Sequence, residues 1–173
     1  MVTSITVHER ASYLRDAVFA AQDGLITTFA IVAGSTGAGF STNIALILGF
    51  ANLFADGFSM ASGTYVGVKS EAEYEKAKGV AHWKSDAPFK QAMITFISFV
   101  MVGLLPLTPY ILKVGPKFET SVVVVAASLF LIGTLKGIYG RRNWLKSGFE
   151  VLLIGSVAAI LAYSVGVFVN GLV

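Results

Sequence analysis

The chain has 173 residues, 55% hydrophobic and 13% charged, with a net charge of +3 and a mean hydropathy of +0.73. Soluble domains carry about 45–50% apolar and about 25% charged residues, so this composition leaves too little polar surface for a water-facing globule. It argues against a soluble enzyme, excludes a disordered or fibrous chain, and points to an integral membrane protein. Cysteine is absent, which removes disulfides, thiolate metal sites and a cysteine nucleophile. The two histidines, His8 and His82, lie far apart in polar segments, so neither a histidine zinc site nor a Ser-His-Asp triad is expected. No enzymatic activity and no bound cofactor are predicted.

Residues 1–13 are polar and mixed in charge, and no small-residue cleavage pattern closes the apolar stretch that follows. The first apolar run covers residues 14–36 and ends in a turn-rich connector of Gly, Ser and Thr. A second covers 43–68, and a strongly charged stretch, KSEAEYEKAKGVAHWKSD, follows at 69–86. The third, 89–112, contains Pro106 and Pro109, which should kink or fray its far end. The fourth and fifth cover 119–139 and 149–170, separated by GRRNWLKSG at 140–148. A bilayer core about 30 Å thick needs roughly 20 helical residues to cross. Strand-like alternation is missing, so a β-barrel is rejected. The prediction is an all-α fold: one transmembrane domain, 1–173, of five spanning helices.

Ten of the 13 lysines and arginines fall on the side that holds the N-terminus and the 69–90 and 140–148 connectors. Only Lys113 and Lys117 flank the spans on the other side. This bias predicts a cytoplasmic N-terminus and an external C-terminus, with Trp83 and Trp144 at the inner headgroup level. It also accounts for the basic balance through bilayer orientation, so no nucleic-acid partner is expected.

Charged side chains near the bilayer centre cost a few kcal/mol each, and two aspartates stand well inside spans, Asp23 and Asp56. At about 1.5 Å per residue, Asp23 lies about 13 Å deep, Asp56 about 18 Å and Met60 about 12 Å. Gly49, Asn52, Asp56, Met60, Gly63 and Gly67 recur every three or four residues and form one stripe of the second helix. Oxygen ligands suit hard divalent ions and a thioether is softer, so the mixed set points to a late first-row ion such as Fe(II). Glu71 and Glu75, four apart beyond the span, can collect cations at a pore mouth or simply form a solvated helix end. Asp23 has a second reading as a structural carboxylate paired with Lys136. Met60 alone also reads as core filler, and Asn52 as an interhelical hydrogen-bonding group.

The segments LRDAVFAAQDGLITTFA (14–30) and GFANLFADGFSMASGTY (49–65), the latter followed by KSEAE (69–73), resemble the first two helices of the vacuolar iron transporter family. The resemblance implies a homodimer of five-helix subunits that moves Fe(II), and often Mn(II), out of the cytoplasm in exchange for protons. It also implies that Asp23 and Met60 line the path. Asn52 stands where plant-type members carry a glutamate, and Asp56, one turn later, is expected to supply that charge. The long glutamate-rich cytoplasmic insertion of iron-storing eukaryotic members is replaced by the short 69–86 connector. That departure points to a prokaryotic inner-membrane exporter of Fe2+, with Mn2+ as a further candidate cargo, binding metal through Asp23, Asp56, Met60, Asn52, Glu71 and Glu75. Two rivals stand beside it: a proton-coupled transporter of a small organic solute, and a non-transporting membrane scaffold.

Overall fold

The computed structural model describes residues 2–79 and 87–172, and among them every regular element is helical. Five helical segments are long and apolar enough to cross a membrane: Glu9–Gly37, Thr42–Ala77, Pro88–Leu112, Lys117–Tyr139 and Trp144–Asn170. The helices are α1 (Val2–Gly37), α2 (Thr42–Ala77), α3 (Pro88–Gly103), α4 (Thr108–Leu112), α5 (Lys117–Tyr139) and α6 (Trp144–Asn170). His82 and Trp83 lie outside the described residues, as does the side chain of His8.

Three helix ends differ from the apolar runs. α1 begins well before residue 14, and α2 continues past residue 68 to Ala77. The tail of α2, KSEAEYEKA, is built from Glu, Ala and Lys, which favour helix without needing an apolar partner. α6 starts at Trp144 rather than at residue 149, because the Asn143 side chain caps it by accepting from the Lys146 backbone N–H at 3.2 Å. The third span breaks where its prolines predicted: α3 gives way to a 3-10 turn, Leu105–Leu107, and then to the short α4. Within hydrocarbon each orphaned carbonyl costs several kcal/mol. Ser121 of α5, fully buried, answers one by donating its hydroxyl to the Pro106 carbonyl at 2.8 Å.

α1 is the central helix and touches α2, α3, α5 and α6. Leu25, Phe29 and Val32 of α1 pack with Leu107, Tyr110, Val125, Leu129 and Val151. A second cluster of Ala20, Leu53 and Phe99 joins α1, α2 and α3, with Met60 against it. Phe99 is fully buried, and two glycines account for its seat. A Cβ on Gly24 would sit 2.5 Å from the Phe99 carbonyl oxygen, and one on Gly57 would sit 3.1 Å from the Phe99 ring. Both Asp-Gly pairs, Asp23-Gly24 and Asp56-Gly57, thus press their glycine against the same residue of α3. Neighbouring residues are about 100° apart around a helix, so each aspartate is turned off the α3 contact.

The small-residue stripe of α2 is divided in its use. Gly49 meets the side chain of Leu107, whereas nothing lies within 4 Å of where Cβ atoms would stand on Gly63 and Gly67. Gly24→Ala is therefore expected to destabilise the detergent-solubilised protein by an overpacking cost of about 1–3 kcal/mol, and Gly63→Ala to leave it unchanged. Thermal melting followed by size-exclusion chromatography reads both; equal midpoints for the two variants would contradict the packing described.

Candidate metal path

α3 packs on both α1 and α2, while α1 and α2 are splayed enough for two clefts to open along their shared face. The first cleft, about 560 Å³, lies toward the end that carries most of the basic residues; Arg15, Asp16 and Phe19 of α1 face Met60, Thr64 and Glu71 of α2 across it. The second, about 520 Å³, lies toward the opposite end between Ile31 and Gly34 of α1 and Leu48 and Asn52 of α2. Asp23 and Asp56 fall between the two along their helices. Both are half-buried, and their carboxyl groups are near enough to act on each other as like charges.

The sequence-predicted residues are therefore drawn together in part. Asp23 and Asp56 stand between the clefts, within range of each other's charge. Met60 and Glu71 are walls of the first cleft. Asn52 belongs to the second, one turn beyond Asp56, with its side-chain nitrogen buried and lacking a hydrogen-bond partner. Glu75 is not a wall of either cleft, and its Oε2 is buried without a partner. Lys136 does not serve Asp23: its Nζ pairs instead with Glu150 Oε1 at 3.7 Å, both side chains half exposed. Among the described residues no three His, Asp or Glu side chains gather tightly enough to hold a metal on their own.

One residue of this face was passed over as a candidate. Asp16 is buried, holds Arg15 Nε at 3.0 Å through Oδ1, and keeps Oδ2 buried and unpartnered. Its spacing carried the signal, since a residue seven before Asp23 lies on the same helical face two turns away. Asp16 and Asp23 on α1, with Asp56, Met60 and Glu71 on α2, offer hard oxygen and one soft sulfur along the side where the two helices face each other. That donor set can pass a divalent cation from oxygen to oxygen without a fixed multidentate cage.

A sequence model of the VIT family matches residues 14–80 and 77–167, two stretches that meet just after α2. A rice (Oryza sativa subsp. japonica) protein called vacuolar iron transporter homolog 2 is 31% identical over 172 residues, covering 90% of each chain. Vacuolar iron transporter homolog 4 of Arabidopsis thaliana is 29% identical, covering 93% of this chain and 86% of its own. Vacuolar iron transporter 1 of the same plant is 26% identical over 208 residues, covering 87% of this chain and 83% of its own. An alignment of 208 positions exceeds the 173 residues here, so that relative carries additional residues within the aligned region. With nearly its whole length matched by the family model and by relatives of the same name, the chain belongs to the VIT family, the vacuolar iron transporters.

Proposed function

We propose that this protein moves Fe2+, and Mn2+ as a second cargo, out of the cytoplasm by exchange for protons, as a homodimer with its N-terminus cytoplasmic. The observation that carries the reading is the like-charge pair Asp23 and Asp56 at the waist between two clefts. Two carboxylates at membrane depth are costly when both are charged and alone. One divalent cation neutralises both at once, and so do two protons. The waist thus alternates between two low-energy occupants, a metal ion arriving from the cytoplasmic cleft or protons arriving from outside. Met60, one turn below Asp56, adds a thioether that favours Fe(II) over harder ions.

The described residues of one subunit supply too few strong ligands for a closed site, and a second copy facing the α1–α2 clefts completes the coordination and seals the path from lipid. The rice relative is itself short, since 172 aligned positions cover 90% of it. Lack of the cytoplasmic insertion is therefore no mark of a prokaryotic inner membrane by itself; its consequence is that metal is not collected ahead of the path.

An aromatic-walled cavity of about 340 Å³ does exist between α1, α5 and α6, lined by Phe29, Phe118 and Tyr163. Neither Asp23 nor Asp56 lines it, so it lends no support to an organic-solute transporter driven by these acids. The scaffold reading makes Asp56→Asn alter assembly without touching flux.

In proteoliposomes with an inward-acid gradient, Asp23→Ala is expected to lower Fe2+ uptake by at least the roughly 10–100-fold that outer-shell changes cost at metal sites. Unchanged flux in a folded variant would overturn the proposal. Met60→Leu keeps the volume and removes the sulfur, and is expected to shift the Fe2+:Mn2+ uptake ratio toward Mn2+. A ratio equal to wild type would remove Met60 from the ligand set.

A further inference from the structure

The mouth of the first cleft carries one cation among its carboxylates. Arg15 Nε lies 3.0 Å from Asp16 Oδ1, and the two side chains differ sharply in surroundings, 67% exposed for Arg15 and 10% for Asp16. The other Asp16 oxygen is buried with no hydrogen-bond partner, although Asp16 is a wall of a cavity of about 560 Å³ that also holds Glu71. One carboxylate therefore gives one oxygen to a tethered guanidinium at the cleft and keeps the other shielded from water and without a partner.

We propose that Arg15 is a charge filter, a specificity-determining residue that a divalent cation displaces from Asp16 and a monovalent cation does not. The guanidinium stays charged at any working pH. Being fixed to the same helix as Asp16, it has an effective concentration there far above that of a free ion. A potassium or sodium ion that replaced it would bring the same charge without the tether, and so loses the competition. A divalent ion brings twice the Coulomb attraction and faces Glu71 as well as Asp16, so it wins. The exposed Arg15 side chain then swings into water at the mouth and repels the next cation. No bond is made or broken; the step is an exchange of counter-ions. This inference rests on the reading that the cleft admits divalent metal, and the experiment separates the two.

Mn2+ alone is the probe. Binding to the full chain in detergent is read from the loss of the free Mn2+ paramagnetic resonance signal, and transport from uptake into proteoliposomes. KCl is exchanged for N-methyl-D-glucamine chloride at constant ionic strength, so that screening stays the same. Wild type is expected to bind Mn2+ equally in both salts. In Arg15→Gln the apparent Kd is expected to rise about fivefold when K+ replaces the bulky cation. Arg15→Met, which keeps the aliphatic stem, must behave as Arg15→Gln does, whereas Arg15→Lys keeps the resistance. Adding Asp16→Asn to Arg15→Gln abolishes the K+ effect, because the contested carboxylate is gone. K+ indifference in both neutral variants, or K+ sensitivity in wild type, overturns the filter. Should wild type bind Mn2+ with the expected salt pattern yet move none, the transport reading fails and the filter stands; no Mn2+ binding at all brings down both.

Discussion

The seat of Phe99 sets the rotation of two helices at once. In a bilayer the neighbouring lipid is as apolar as leucine, so helices are held by close packing and by polar contacts rather than by a hydrophobic drive. Gly24 lets the backbone of α1 reach the Phe99 carbonyl, and Gly57 lets α2 reach its ring. Any larger residue at either place pushes a helix away or turns it. The aspartate next to each glycine inherits its direction from that contact, since both helices are keyed to one residue of α3. Packing and chemistry are thus one arrangement, written twice in the chain as Asp-Gly.

From this arrangement the electrostatics follow. A lone carboxylate buried in hydrocarbon is expensive, yet here clefts of about 560 and 520 Å³ flank the acid pair on either side. Only the stretch around Asp23 and Asp56 separates them along the two helices. Asp16 and Glu71 extend that negative lining toward one mouth, and Arg15 tempers it. The polar side chains away from this face serve structure instead, as when Ser121 satisfies the Pro106 carbonyl.

The five spans, the proline break and the two intramembrane acids were legible in the sequence because each rests on a local rule: length of apolar run, missing backbone donor, cost of a buried charge. Helix ends were less so. The α2 tail is helical through propensity rather than hydropathy, and the start of α6 depends on a cap at Asn143. The site divided along similar lines. Asp23, Asp56, Met60 and Glu71 could be grouped from depth and periodicity, but periodicity assigned Gly49, Gly63 and Gly67 a single role. Only the tertiary neighbours show that Gly49 packs on Leu107 while the other two border open space. Asp16 was hidden by its position at the helix start, where a charged residue reads as ordinary interface. The pairing of Lys136 with Glu150 rather than Asp23 depended on how α5 and α6 face each other, which no single segment encodes.

The connector between α1 and α2 is only four residues, 38–41, turned by Gly39 at a φ of +68°. Lys117 at the start of α5 clamps the same corner by donating to the Thr42 hydroxyl at 3.3 Å. The two long helices are therefore held close at this corner, while at its far end α2 leads on to α3. The spacing of the pair is set by the chain at this corner, whereas beside the Arg15–Glu71 cleft it rests on the packing of both helices against α3. The broken third span brings its short α4 beside the same corner, where Tyr110, Thr42 and Lys117 line one cavity.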